Sequence, residues 1–108
     1  MPPNPLHECL YDEPMNTQEA KRILEDDLTS YCECGYAELR RKVESGQVDT
    51  HEIQGASGVD YQLEIQYFWD SKPGATIRVI GSIDDGGIRA FFPVTNSFLI
   101  HPAGEAVE

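Results

Sequence analysis

Positive charge is scarce in this 108-residue chain: eight lysines and arginines stand against nineteen aspartates and glutamates, a formal net charge of −11. The deficit runs through both halves of the sequence and is not an acidic tail. With no basic stripe to offset it, a phosphate backbone or an anionic bilayer meets repulsion, so neither nucleic acid nor membrane is an expected partner. No apolar run approaches the roughly eighteen residues of a spanning helix. The N-terminal stretch Met-Pro-Pro-Asn-Pro-Leu-His-Glu has neither the basic nor the apolar region of a secretory leader. Cysteine is sparse and odd in number, and the spacing of Cys9, Cys32 and Cys34 suits no disulfide framework, so three free thiols in a reducing cytoplasm are expected.

What is present is ordinary globular composition, 40% hydrophobic and 25% charged, enough for one core and too short for two. Prolines at 2, 3, 5 and 14 make residues 1–15 an extended arm, leaving 16–108 as a single domain. Asn16 and Glu19 form a capping-box pattern from which a helix can run to Ser45, with Gly46 as its stop. Acidic residues crowd its first turns, and Arg40, Arg41 and Lys42 its last, as the helix macrodipole favours. Ala20, Leu24, Leu28, Tyr31, Gly35 and Leu39 fall on one stripe. The reading is one long helix; the alternative is a break at Cys34-Gly35.

From Val48 the period changes from helical to two. Val48–Gln54 reads as an edge strand. Tyr61, Leu63, Ile65, Tyr67 and Trp69 form the inward face of a second strand, and Ile77, Val79, Gly81 and Ile83 that of a third. Asp85-Gly86 suits a two-residue type I′ turn, which pairs Ile83 with Ile88, Gly81 with Ala90, Val79 with Phe92 and Ile77 with Val94 on a returning strand, 88–94. The hairpin before it places Leu63 beside Gly81 and Tyr67 beside Ile77. Gly81 and Ala90 then leave a shallow spot for the helix near Gly35. The expected fold is α+β, a two-layer sandwich with one long N-terminal helix packed on a four-stranded antiparallel β-meander. By element order alone this resembles cystatin-like and cone-shaped ligand-binding folds.

The chemistry-bearing residues do not assemble into a recognised pattern. Cys32 and Cys34 project about 200° apart on a helix and cannot share an ion. Asp84 and Asp85 lack the further oxygen ligands of a calcium loop, and Gly55-Ala56-Ser57-Gly58 lacks the lysine of a phosphate loop. No catalytic residue, metal or cofactor is therefore assigned. His51 shares parity with Ile53 and, with Tyr61, Tyr67 and Trp69, could line a pocket. On the opposite face Phe68, Ile80 and Phe91 interrupt polar residues and call for a cover: the chain's own termini, a homodimer or a partner. The expected function is a small acidic non-catalytic interaction module, an inhibitor- or immunity-like binder of a basic protein partner. The alternative is a small-molecule-binding or enzymatic cup of cystatin-like topology.

Overall fold

The computed structural model describes residues 17–86, 93–102 and 106–107. Among the described residues two helices precede the sheet: α1, Thr17–Cys32, and α2, Tyr36–Ser45. The single long helix is thus corrected to a pair, broken where the alternative placed it. Gly35 has φ +87° and ψ 161°, a conformation nearly closed to residues with a Cβ, so the chain turns there and restarts. Eleven residues of helix return the stripe to within about 20° of its starting direction, so Leu28 and Leu39 stay in phase on paper although a turn separates them. Gly46 ends α2 as expected, at φ +69°, its N–H reaching the Val43 carbonyl and that of Gln47 reaching Lys42.

The strands are β1, Asp49–Gln54; β2, Asp60–Trp69; β3, Ile77–Asp84; β4, Val94–Ile100; and a two-residue β5, Ala106–Val107. They form one antiparallel sheet in the order β1-β2-β3-β4-β5. Helix α1 packs on β3 and β4, and α2 on β2 and β3, so both lie on one face. Between the layers sit Ala20, Leu24, Leu28, Leu39, Tyr61, Leu63, Ile65, Ile77, Val79, Ile83, Phe98 and Ile100, all buried. The inward parity read from the sequence holds in β2 and β3.

Both hairpin registers require correction. Across the first, Leu63 faces Ile83, Ile65 faces Gly81 and Tyr67 faces Val79, a shift of two residues that preserves every face. Its cause is the turn: Asp70 N–H reaches the Thr76 carbonyl, so five residues lie between the last pair. Across the second, β3 pairs with Val94–Ile100: Ile83 meets Val94, Gly81 meets Asn96, Val79 meets Phe98 and Ile77 meets Ile100. Alternation fixes parity only, and the even series 88–94 and 94–100 satisfy it equally. The sheet takes the later one, seating Phe98 and Ile100 against Val79 and Ile77 behind a longer connection. Ala90 and Phe92, assigned to the tight-turn register, lie outside the described residues.

The shallow spot at Gly81 is occupied, but by α1. A Cβ there would lie 2.8 Å from Leu24 Cδ1 and 3.0 Å from Leu28 Cδ2, whereas nothing approaches within 4 Å at Gly35. Missing atoms at Gly81 are what allow α1 to lie close to β3.

Candidate functional site

The aromatic residues proposed for a pocket take separate positions. Tyr61 is fully buried, and its hydroxyl donates to Glu19 Oε1 at 2.8 Å. The same carboxylate receives the Ser57 N–H at 3.0 Å and the Ser57 hydroxyl, fastening α1 to the β1–β2 turn. Those hydrogen bonds from Ser57 and Tyr61 hold the Glu19 carboxyl below its ordinary range. Gly55 leaves the space for this contact, since a Cβ there would overlap Glu19 and the Tyr61 ring. Tyr67 is buried at the other end of β2, and half-buried Trp69 lies under the Arg40 guanidinium, 6.0 Å from its ring.

His51 lies on the inward side of β1, where its Nε2 donates to Asp27 Oδ2 of α1 at 2.9 Å. One turn of the pleat away is a denser cluster that sequence reasoning missed. Lys42 Nζ donates to Asp49 Oδ2 at 2.7 Å, Gln47 Nε2 donates to Asp49 Oδ1 at 2.6 Å, and the Tyr67 hydroxyl donates to Asp49 Oδ2. Lys42 Nζ also stands over the Tyr31 and Tyr67 rings, 5.0 and 5.2 Å from their centroids. Burial alone would raise the Asp49 carboxyl, but the hydrogen bonds from Lys42, Tyr67 and Gln47 together outweigh it and hold the group at about 2. Burial, and then the nearby Asp27 and Asp49 charges, push Tyr31 up to about 12; burial and the bond to Asp49 raise Tyr67 further.

These contacts form a polar seam. The inward positions of β1 are Asp49, His51 and Ile53, and β1 lies at the margin of the helix layer, reached by side chains of α1 and α2. Leucine at 49 or 51 would find only a partial cover there, whereas carboxylate and imidazole find partners on α2 and α1. The signal was present in the sequence: Asp49 shares parity with His51 and Ile53, and an inward acid calls for a cation or several donors.

The outer face of the sheet is different in kind. Its cross-strand rows are Gln54–Asp60, Glu52–Gln62–Asp84, Thr50–Glu64–Ser82–Thr95, Gln66–Ile80–Ser97 and Phe68–Arg78–Leu99. Carboxylates therefore gather toward the β1 side, where Glu52, Gln62, Glu64 and Asp84 line a depression of about 340 Å³. Among the described residues the one cation placed on this face is Arg78, and it is ion-paired with Asp70 at 2.8 Å. The other described cations are on α1, on α2 and in the turn at Lys72. Phe68 is 45% exposed at the far end of the face. Ile80 is half-buried and pairs with Ser97, while Phe91 lies outside the described residues.

Other candidates can be placed briefly. Cys34 is exposed, its thiol directed at the Ser30 carbonyl, 3.6 Å away, and His7 and Cys9 lie outside the described residues. No three His, Cys, Asp or Glu side chains gather into a metal-sized cluster among the described residues. Asp84 receives the Gly86 N–H at 2.7 Å. His101 Nδ1 lies 2.8 Å from the Thr76 hydroxyl. No described helix is long and apolar enough to cross a membrane. A groove of about 430 Å³ runs between α1 and β4, lined by Glu25, Leu28, Thr29, Cys32, Asn96, Ser97 and Phe98. No family model, curated protein or solved structure matches this chain.

Proposed function

We propose that this protein is a non-catalytic interaction module whose partner is a basic protein. The observation that carries the reading is the outer sheet face, which no described helix covers and where Glu52, Asp60, Glu64 and Asp84 have no free cation beside them among the described residues. On a chain of net charge −11, such a face projects a negative potential that speeds encounter with a cationic protein by about 10- to 1,000-fold and disfavours anionic partners. The seam does not compete for this role, because its carboxylates are already engaged inside the fold.

The test is association with a panel of cationic proteins, each also offered in a lysine-acetylated form. The native forms are expected to bind, with affinity falling as salt rises toward 0.5 M, and acetylation is expected to abolish binding. If no native cationic protein associates even at low ionic strength, the reading is wrong. A second reading, a small-ligand site, draws on the groove between α1 and β4, whose Glu25, Thr29, Asn96 and Ser97 offer polar contacts above Leu28 and Phe98. A metabolite that raises the unfolding temperature, and loses that effect in Ser97→Trp, would favour it.

A further inference from the structure

We propose that the open edge of β1 receives an extended, lysine- or arginine-bearing segment of that basic partner, which continues the sheet by one strand; this rests on the functional reading above. Among the described residues, strand β1 is one edge of the sheet and is six residues long, while the strand at the opposite edge, β5, spans two. Its ladder with β2 is unbroken, from Asp49–Ile65 to Gln54–Asp60, and continues into the turn, where the Gly55 N–H donates to the Val59 carbonyl at 2.8 Å. In an antiparallel ladder hydrogen-bonded pairs alternate with non-bonded ones. Counting back from Gly55, the main-chain groups of Ile53, His51 and Asp49 turn toward β2. Those of Thr50, Glu52 and Gln54 turn outward, presenting an N–H and a C=O from each of three residues.

Proteins ordinarily blunt such an edge with lysine, proline or a bulge. The segment Asp-Thr-His-Glu-Ile-Gln has none of these, and the inward charge of Asp49, another such device, is paired with Lys42 on the inner side. Its formal charges are all negative, which makes the edge selective: a second copy of this chain would set Glu52 and the −11 field against themselves, whereas a basic strand is attracted. The side chains of Thr50, Glu52 and Gln54 are exposed on the outer face, in the rows that contain Glu64, Asp60 and Asp84. An added strand lies about 4.8 Å beyond β1, so a lysine on its outward side reaches Glu52 directly and the depression behind it by its length. On the inner side the Asp27–His51 and Lys42–Asp49–Tyr67 contacts hold β1 in its extended form, so the edge needs little ordering before pairing.

The experiment uses the whole protein, ¹⁵N-labelled, and a capped peptide of alternating lysine and threonine, about eight residues long, beside the same peptide N-methylated at every residue. The methylated form keeps the charge but cannot donate to a strand. Slowed hydrogen exchange at the Thr50, Glu52 and Gln54 amides, with affinity for the methylated peptide weaker by about ten-fold or more, is the expected result. Equal binding of both peptides, with shifts spread over Glu64 and Asp84 and no protection at β1, would overturn the edge proposal and leave the basic-partner reading standing. No binding of either peptide at low salt would overturn both.

Discussion

The close packing of α1 on β3 at Gly81 can be tested by a double-mutant cycle. Leu24 is 1% exposed and its Cδ1 lies where a Cβ on Gly81 would be 2.8 Å away; Leu28 Cδ2 and Ile65 Cδ1 would be at 3.0 and 3.2 Å. Gly81→Ala alone must push α1 outward or force Leu24 and Leu28 off their rotamers, at a cost of about 1–3 kcal/mol. Leu24→Ala alone removes a buried side chain and leaves a cavity, at a cost of about 3 kcal/mol. In the double variant the new methyl occupies part of that cavity and its nearest clash is gone, although Leu28 still crowds it. The two changes are therefore expected to cost about 1–2 kcal/mol less together than their sum. A domain of this size has about 5–15 kcal/mol of stability, so all three variants remain measurable by urea unfolding followed through Trp69 fluorescence and far-ultraviolet dichroism. Additivity within about 0.5 kcal/mol would refute the packing argument.

Three further outcomes follow from the helix break and the seam. Gly35→Ala is expected to destabilise by about 1–3 kcal/mol, because alanine is strained at φ +87° whatever space surrounds it; a continuous helix would instead be stabilised by the same change, so the sign in urea unfolding decides. The Asp49 carboxyl is held at about 2 against an ordinary 3.8, so its contribution is complete above pH 4 and fades as the pH falls toward 2. The shift corresponds to at most about 2 kcal/mol, lessened by solvent at this partly open site. Acid unfolding curves of the native protein and Asp49→Asn should therefore converge over that interval, and parallel curves would show that the seam does not contribute. At the alkaline end the sign reverses. Tyr31 is raised to about 12 from 10.0, so its contribution is present below pH 10 and is lost as the pH climbs toward 12.

Much of the fold was legible because β-structure writes its faces into the sequence. Tyr61, Leu63, Ile65 and Tyr67 had to point one way and Gln62, Glu64 and Gln66 the other, whatever the pairing. Register is a different quantity, set by turn length, and turn chemistry offered more than one solution. Asp85-Gly86 satisfies the rule for a tight hairpin, yet Phe98 and Ile100 gain more by entering the core than the short loop saves in closure entropy. The helix break was hidden by phase: Leu28 and Leu39 suit one stripe or two. The seam was legible in part, since His51 was placed inward, but nothing in the local pattern names Asp27, 24 residues earlier, as its partner. Contacts of that separation depend on where the helix axis lies over the sheet.

The position of β1 ties these observations together. With α1 mainly over β3 and β4 and α2 mainly over β2 and β3, the strand at this edge lies at the margin of the helix layer, and its apolar burial is confined to half-buried Ile53. It is held by ion pairs and hydrogen bonds on its inner side, which tolerate water at the rim in a way leucines would not. Those same contacts absorb Asp49 and Asp27 into the structure and leave Glu52 and Glu64 exposed on the outer face, with half-buried Asp84 beside them. Under the proposed function, stability and recognition rest on different carboxylates, Asp49 on the inner side of β1 and Glu52 on its outer side, separated by the parity of the pleat. Removing Asp49 should act on folding first, and removing Glu52 on association with little effect on folding. A strand fastened from one side, open at its main-chain edge and acidic on the other side suits a cationic extended segment better than it suits a second copy of itself.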